Sequence, residues 1–292
     1  LWRAARRLRK GHFDALVTPH RSARTALLAK LSGIPLRVGY AGGLKGVGFT
    51  QVREVKPSEP CRIKQDLALL NDLGIEEFSD RLRMKVPSNS RGILEAFSHR
   101  HALAPDARLV GLCIGSVWPT KRWPPVYFAS LAEFVRERGY VPVLFGGPNE
   151  MGIAREIDAV LGETLVSCVG NRLEESAALL DACQMAVGGD SGLTHMARAL
   201  GVPTVIIFGP TDAKVHCFSE HTQVLTANVR CRPCSAHGQN RCPERHHDCM
   251  RLVSPEQVIN ALRQVADLQT PIPKTESRST EEKGEQPVVA AR

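Results

Sequence analysis

The sequence predicts an α/β protein: a parallel, doubly wound sheet over residues 105–268, preceded by a smaller α/β region over residues 1–104. Three observations carry this. From residue 109 onward, short apolar runs alternate with amphipathic stretches of helical period, the pattern of strands linked by crossover helices. Nearly every apolar run ends in a glycine-rich turn. At 292 residues the chain is also long enough for two hydrophobic cores.

The elements follow in order. Residues 13–18 (FDALVT), the Ala/Leu-rich stretch 22–32 and residues 34–40 (IPLRVGY) read as strand, helix and strand, and 61–73 and 91–103 as two more helices. About two strands before residue 105 are too few for an independent parallel sheet with both faces covered. Since the chain also opens on Leu1 and not on Met, the expectation is an amino-terminal domain that lacks its first strands. The later strands are LVGLCIG, VPVLFGG, TLVSCVG, QMAVGGD and PTVIIFG, with helices at 125–138, 150–161, 174–182 and 192–200 between them. A final helix begins at SPEQVINAL, where Ser254 caps, Pro255 suits the first helical position and Gln257 completes a capping box. Residues 269–292 hold Pro, Ser, Thr, Glu and Lys with almost no core-forming residues, and are expected to be a disordered tail.

Composition narrows the function class. A hydrophobic share of 43% and a charged share of 23% are those of a globular chain, and no apolar run reaches the ~18 residues of a membrane span. With no signal peptide visible, the expected location is the cytoplasm. Nine cysteines, an odd number, argue against a disulfide framework and for thiols or a metal site. Residues 1–104 carry 19 Lys and Arg against 9 Asp and Glu, a net charge of +10, whereas the remainder has a net charge of −2. A cationic half implies an anionic partner. Nucleic acid is the less expected partner, because aromatic residues to stack on bases make up only 5% of the chain.

In a doubly wound sheet, ligands bind beyond the carboxyl ends of the strands. Those tips are Gly115-Ser116, Gly146-Gly147-Pro148, Gly170-Asn171, Gly188-Gly189-Asp190 and Gly209-Pro210-Thr211-Asp212. In GGDSGLTHMARALG, Asp190 or Ser191 caps a helix that starts near Gly192 and ends before Gly201. Its first turn offers unpaired N–H groups and the positive end of the helix dipole, an anion site suited to a diphosphate. Ser191 and Thr194 add hydroxyls, His195 adds a further hydrogen bond or charge, and Ser116 and Lys121 reach the same phosphate from the opposite side. No G-x-G-x-x-G follows the first strand and no G-x-x-x-x-G-K-[ST] occurs, which leaves a dinucleotide fingerprint and a P-loop unsupported. The spacing Cys231-x2-Cys234-x7-Cys242-x6-Cys249, with His237, His246 and His247 nearby, has the ligand density of a metal site but lacks a second C-x-x-C. Thiols packed within a loop are the preferred reading.

GSVWPTKRWPP, LFGGPNE and GGDSGLTHMARALGVPTVIIFGPTD, in that order, resemble the bacterial lipopolysaccharide heptosyltransferases of glycosyltransferase family 9. The Cys-Arg-Pro-Cys segment and Cys249-Met250 bring the resemblance nearest to the heptosyltransferase II branch. It implies a GT-B architecture of two Rossmann-like domains and an inverting transfer of heptose from ADP-heptose to the phosphorylated inner core of lipopolysaccharide, with no cofactor and no catalytic metal. It also implies peripheral placement at the cytoplasmic face of the inner membrane. By the same resemblance Ser116 and Lys121 contact donor phosphate, Glu150 the sugar or ribose, and Leu173 the adenine. Asp190, Ser191, Gly192 and His195 then hold the diphosphate and heptose. The family's glycine-rich loop and its aspartate base are expected upstream of Leu1, and Asp14 reads as structural. A nucleotide-sugar-binding remnant without that base is the alternative function.

Overall fold

The computed structural model describes residues 1–41, 43–56 and 58–266. The tail expected at 269–292 therefore lies outside the described residues. The chain divides into two compact units, one of Leu1–Leu82 with Asp212–Ser219, the other of Arg83–Thr211 with the chain from Glu220 onward.

In the first unit, α1 (Trp2–Lys10), β1 (Ala15–Val17), α2 (Ala23–Ser32), β2 (Leu36–Tyr40), β3 (Gln51–Arg53) and α3 (Arg62–Leu67) follow one another. The three strands form a parallel sheet in the order β1-β2-β3. Strand β3 was not anticipated from the sequence: three residues, QVR, are too few to show an alternation. Ser22 caps α2 by accepting a hydrogen bond from the Thr25 amide at 3.2 Å, and Gly33, at φ 70°, ends it in the left-handed conformation. Val38, Tyr40 and Leu69 make a small buried cluster. Cys61 and Cys217 are disulfide-bonded with Cα atoms 5.6 Å apart, well inside the span such a bond covers. Two of the nine cysteines thus depart from the reading as thiols or a metal site; the other seven are free.

The second unit opens with α4 (Ser90–Arg100). The sequence boundary at residue 104 left this helix with the first domain, but its Phe97 is buried with Leu179 and Ala186, and Ile93 and Leu94 pack on the same cluster. A helix goes with the core that takes its apolar face, which moves the division back to residue 82. Then come β4 (Arg108–Cys113), α5 (Pro125–Arg136), β5 (Tyr140–Phe145), α6 (Met151–Leu161), β6 (Val166–Ser167), α7 (Leu173–Ala182), β7 (Cys183–Gly189), α8 (Gly192–Ala199), β8 (Thr204–Ile207), β9 (Thr222–Leu225), α9 (Asp248–Arg251) and α10 (Pro255–Val265). The sheet order is β6-β5-β4-β7-β8-β9, every pair parallel.

That order is the doubly wound 3-2-1-4-5-6 arrangement, and its reversal falls between β4 and β7. Parallel strands are covered on both faces, which is why they read as unbroken apolar runs. One face buries Leu112, Trp123, Phe128, Leu144 and Ile157 with Val258 and Leu262 of α10; the other buries Val143, Phe145, Leu179, Met196 and Ala197. Trp123 ties the entrance of α5 to the turn between α9 and α10 by donating its indole N–H to the Val253 carbonyl at 2.8 Å.

Candidate functional site

The reversal in strand order falls beyond the ends of β4 and β7, where doubly wound sheets bind ligands, and Lys121, Asp190 and His195 meet there. After Gly188 and Gly189 close β7, Asp190 turns back under the sheet ends, 7% exposed. Both glycines are required by close approach: a Cβ on Gly188 would lie 2.6 Å from the Cys113 Cβ on β4, and one on Gly189 would strike the Lys121 carbonyl. The strands and the Lys121 turn thus come together as closely as backbone allows.

Asp190 gathers three donors. Lys121 Nζ approaches Oδ2 at 2.6 Å, Thr211 Oγ1 donates to the same oxygen at 2.7 Å, and His195 Nε2 lies 2.9 Å from Oδ1. Burial alone would raise the pKa of this carboxyl, but the bonds from His195, Lys121 and Thr211 and the Lys121 charge outweigh it and hold Asp190 well below the usual carboxylate range. On the far side of the imidazole, Arg198 Nη1 stands 3.0 Å from His195 Nδ1. A guanidinium only donates, so Nδ1 accepts and the ring proton sits on Nε2, facing Asp190. An ionised carboxylate only accepts, so toward a diphosphate Asp190 acts by holding Lys121 and His195 in place.

Helix α8 starts immediately beyond. Ser191 occupies the N-cap position but makes no side-chain bond to the helix backbone; its Oγ pairs instead with Thr194 Oγ1 at 3.0 Å. The capping expected of Asp190 or Ser191 is therefore not made, because the first is drawn to Lys121 and the second to Thr194. The leading amides of α8 have no carbonyl of their own helix to meet. Gly192 is exposed, and a Cβ there would touch nothing within 4 Å.

A second network flanks the first. Glu150, 8% exposed, accepts from the Gly147 amide at 2.8 Å through Oε2 and from Arg122 Nη2 at 3.1 Å through Oε1. Arg122 Nε in turn donates to the Ser116 carbonyl at 2.9 Å. Ser116 and Glu150 are thereby joined across the β4 and β5 tips. Leu173, the first residue of α7 and 65% exposed, belongs to neither network. Asp14 precedes β1, its carbonyl accepting from the Leu36 amide at 3.4 Å.

Arg122, Arg198 and Thr211 were missed as site residues. Arg198 was detectable as a cation one helical turn after His195, and Thr211 lay in a strand-tip turn already singled out, but nothing local announces that its hydroxyl crosses to Asp190.

Cys231, Cys234, Cys242 and Cys249 lie in the loop after β9. Cys231 Sγ is 3.9 Å from His246 Nε2. Burial, then the neighbouring Cys234, Cys242 and Cys231, push the Cys249 thiol up to about 11. Among the described residues, no three ligand atoms drawn from these thiols and their neighbouring histidines lie within 4.8 Å of one another.

Residues 1–245 match the profile of glycosyltransferase family 9 (heptosyltransferase). The chain belongs to this family. Lipopolysaccharide heptosyltransferase 2 of Escherichia coli K12 is 30% identical over 216 residues, covering 70% of this chain and 62% of that protein. Lipooligosaccharide heptosyltransferase 2 of Haemophilus influenzae is 28% identical over 223 residues, with 72% and 64% covered. The chain thus spans a little under two thirds of these relatives. Among solved structures, the glycosyl transferase family 9 protein of Veillonella parvula superposes with a TM-score of 0.78 at 25% identity, covering 90% of this chain and 77% of that one. The Escherichia coli ADP-heptose heptosyltransferase II shares the fold, with a TM-score of 0.69 at 23% identity over 90% of this chain and 80% of that chain. The fold is of the GT-B type, two α/β units each with a parallel sheet. Among the described residues no helix is long and apolar enough to cross a membrane.

Proposed function

We propose that this chain is an inverting glycosyltransferase that moves heptose from ADP-heptose to the phosphorylated inner core of lipopolysaccharide. The observation that carries the reading is the meeting of Lys121 with Asp190 at the reversal of strand order, beside the amino terminus of α8. A diphosphate lying across that terminus accepts hydrogen bonds from the leading amides of the helix and charge from Lys121. When the acceptor hydroxyl attacks the anomeric carbon and the sugar–phosphate bond breaks, negative charge grows on the departing ADP. Groups already aimed at that position favour the transition state over the ground state.

Asp190 keeps Lys121 and His195 aimed, Ser191 and Gly192 border the helix terminus, and Ser116 and Glu150 shape the rim beside the β4 tip. Leu173, exposed at the start of α7, offers an apolar surface suited to a nucleobase. We assign no base for the acceptor hydroxyl. The acceptor's phosphates match the excess of positive charge in residues 1–104. We place the enzyme in the cytoplasm, peripheral at the inner membrane where such a glycolipid is anchored.

The test is titration with ADP followed by a transfer assay. Lys121→Ala should weaken ADP binding by about 1.5 to 3 kcal/mol, the worth of a charge-assisted contact. Lys30→Ala, which removes an exposed charge from α2, should leave it unchanged. Equal effects from the two substitutions would remove Lys121 from the donor site.

A further inference from the structure

Residues 226–247, the cysteine-rich loop, contain neither helix nor strand, yet hydrogen bonds fix the loop at both ends of the donor crevice. At one end Arg232 Nε donates to the Gly209 carbonyl at 2.6 Å and its Nη2 to the Thr211 carbonyl at 3.3 Å. The amides of Cys234 and Ser235 both donate to the Pro210 carbonyl, at 3.0 and 3.1 Å. At the other end the Thr120 hydroxyl, buried at 5% exposure, is used twice: it donates to the Gln239 carbonyl at 2.8 Å and accepts from the Gln239 amide at 2.8 Å. His247 Nε2 then donates to the Thr120 carbonyl at 2.8 Å.

The two turns gripped in this way, 209–211 and 118–121, supply Thr211 and Lys121, whose side chains meet on Asp190 Oδ2. A lysine head rides on a four-carbon stem with many rotamers, so its reach depends on where the backbone beneath it is held. The loop also closes tightly on this turn: a Cβ on Gly238 would lie 2.7 Å from the Trp118 Cβ and 3.0 Å from the Lys121 Cε.

We propose that the cysteine-rich loop is a strap that sets the reach of Lys121 toward donor phosphate, with the Thr120 hydroxyl and the His247 imidazole as its positioning groups. This rests on the donor-site reading above. The strap contributes no atom to the ligand. Its effect on affinity passes through Lys121, which separates it from a merely structural loop.

A double-mutant cycle read by calorimetric titration of the full chain with ADP tests this. Thr120→Val, which keeps the shape and removes the hydroxyl, should weaken ADP binding about five- to tenfold. In the Lys121→Ala background the same substitution should change affinity less than about twofold, and Thr120→Ser should restore the wild-type value. Unchanged ADP affinity in Thr120→Val, or an equal loss in both backgrounds, overturns the proposal. If Lys121→Ala alone leaves ADP affinity intact, the donor-site reading falls and the strap's role with it. If Thr120→Val does not fold, His247→Asn goes through the same cycle with the same expectations, since asparagine tolerates the left-handed backbone at this position (φ 58°) but is too short to reach Thr120.

Discussion

At Asp190 two opposed effects act on one carboxyl, and their balance sets how the residue responds to pH. Desolvation favours the neutral acid, whereas the His195, Lys121 and Thr211 contacts and the Lys121 charge favour the anion and win. A folded-state pKa below the unfolded one contributes stability that is complete above the ordinary aspartate value of ~4 and fades as pH falls through the depressed value. Asp190→Asn should therefore cost about 3 kcal/mol at neutral pH, in keeping with removal of one partner of a buried ion pair. The gap to wild type should stay constant from pH 8 to 5 and narrow in more acidic solution. Denaturant titrations at several pH values measure it, and a gap that widens toward acid would contradict the sign. Gly192 raises the converse question. Unlike Gly188, it is not needed by its neighbours, since a Cβ there meets nothing. Gly192→Ala should leave stability unchanged or raise it by up to ~1 kcal/mol while weakening ADP binding, because the added methyl occupies the space before the helix amides. If affinity is untouched, the diphosphate does not approach at that point. Asp190 and Gly192 were legible from GGDSG alone; the crossing from Thr211 was not, because it joins residues 21 positions apart through a fold the local sequence does not display.

Elements whose signals lie within the element were the most legible. The capping box of α10 is present as the sequence implies: Ser254 Oγ accepts from the Gln257 amide at 3.3 Å, and Gln257 Oε1 accepts from the Ser254 amide at 2.9 Å. Ser254→Ala should lower unfolding free energy by about 1 kcal/mol and leave ADP affinity unchanged, as seen in paired denaturant and binding titrations. A loss of binding would mean that α10, which packs Val258 and Leu262 under the sheet, transmits strain to the strand tips. Strands β4, β5, β7 and β8 were found from apolar runs that end in glycine. The edge strand β9 was not, because four residues, TQVL, offer neither a run nor an alternation long enough to count. Helix α4 was found but assigned to the wrong partner core, since an amphipathic period reveals an apolar face without saying what will cover it.

On the scale of the whole molecule, charge asymmetry was the plainest feature of the sequence, and it bears on the proposed meeting with a membrane-anchored acceptor. Helix α1 carries Arg3, Arg6, Arg7, Arg9 and Lys10, with Trp2 70% exposed beside them. Of its apolar residues Leu1, Ala5 and Leu8, only Ala5 is buried, Leu8 is partly covered and Leu1 is exposed. The helix therefore leans on the fold by a narrow seam and turns most of its cations to solvent. Near an anionic surface each such cation is worth ~1 kcal/mol, within a Debye length of ~8 Å at physiological salt. Vesicles carrying phosphorylated lipid A should bind the chain at low salt, lose it steeply as salt rises, and bind it less when the five residues are replaced by glutamine. ADP affinity should not move in that variant, because the donor crevice is assembled from residues 116–211 and braced from 232–247. Vesicle binding that survives the replacements, or that never appears at low salt, would leave α1 as a cover for α2 with no part in meeting a membrane.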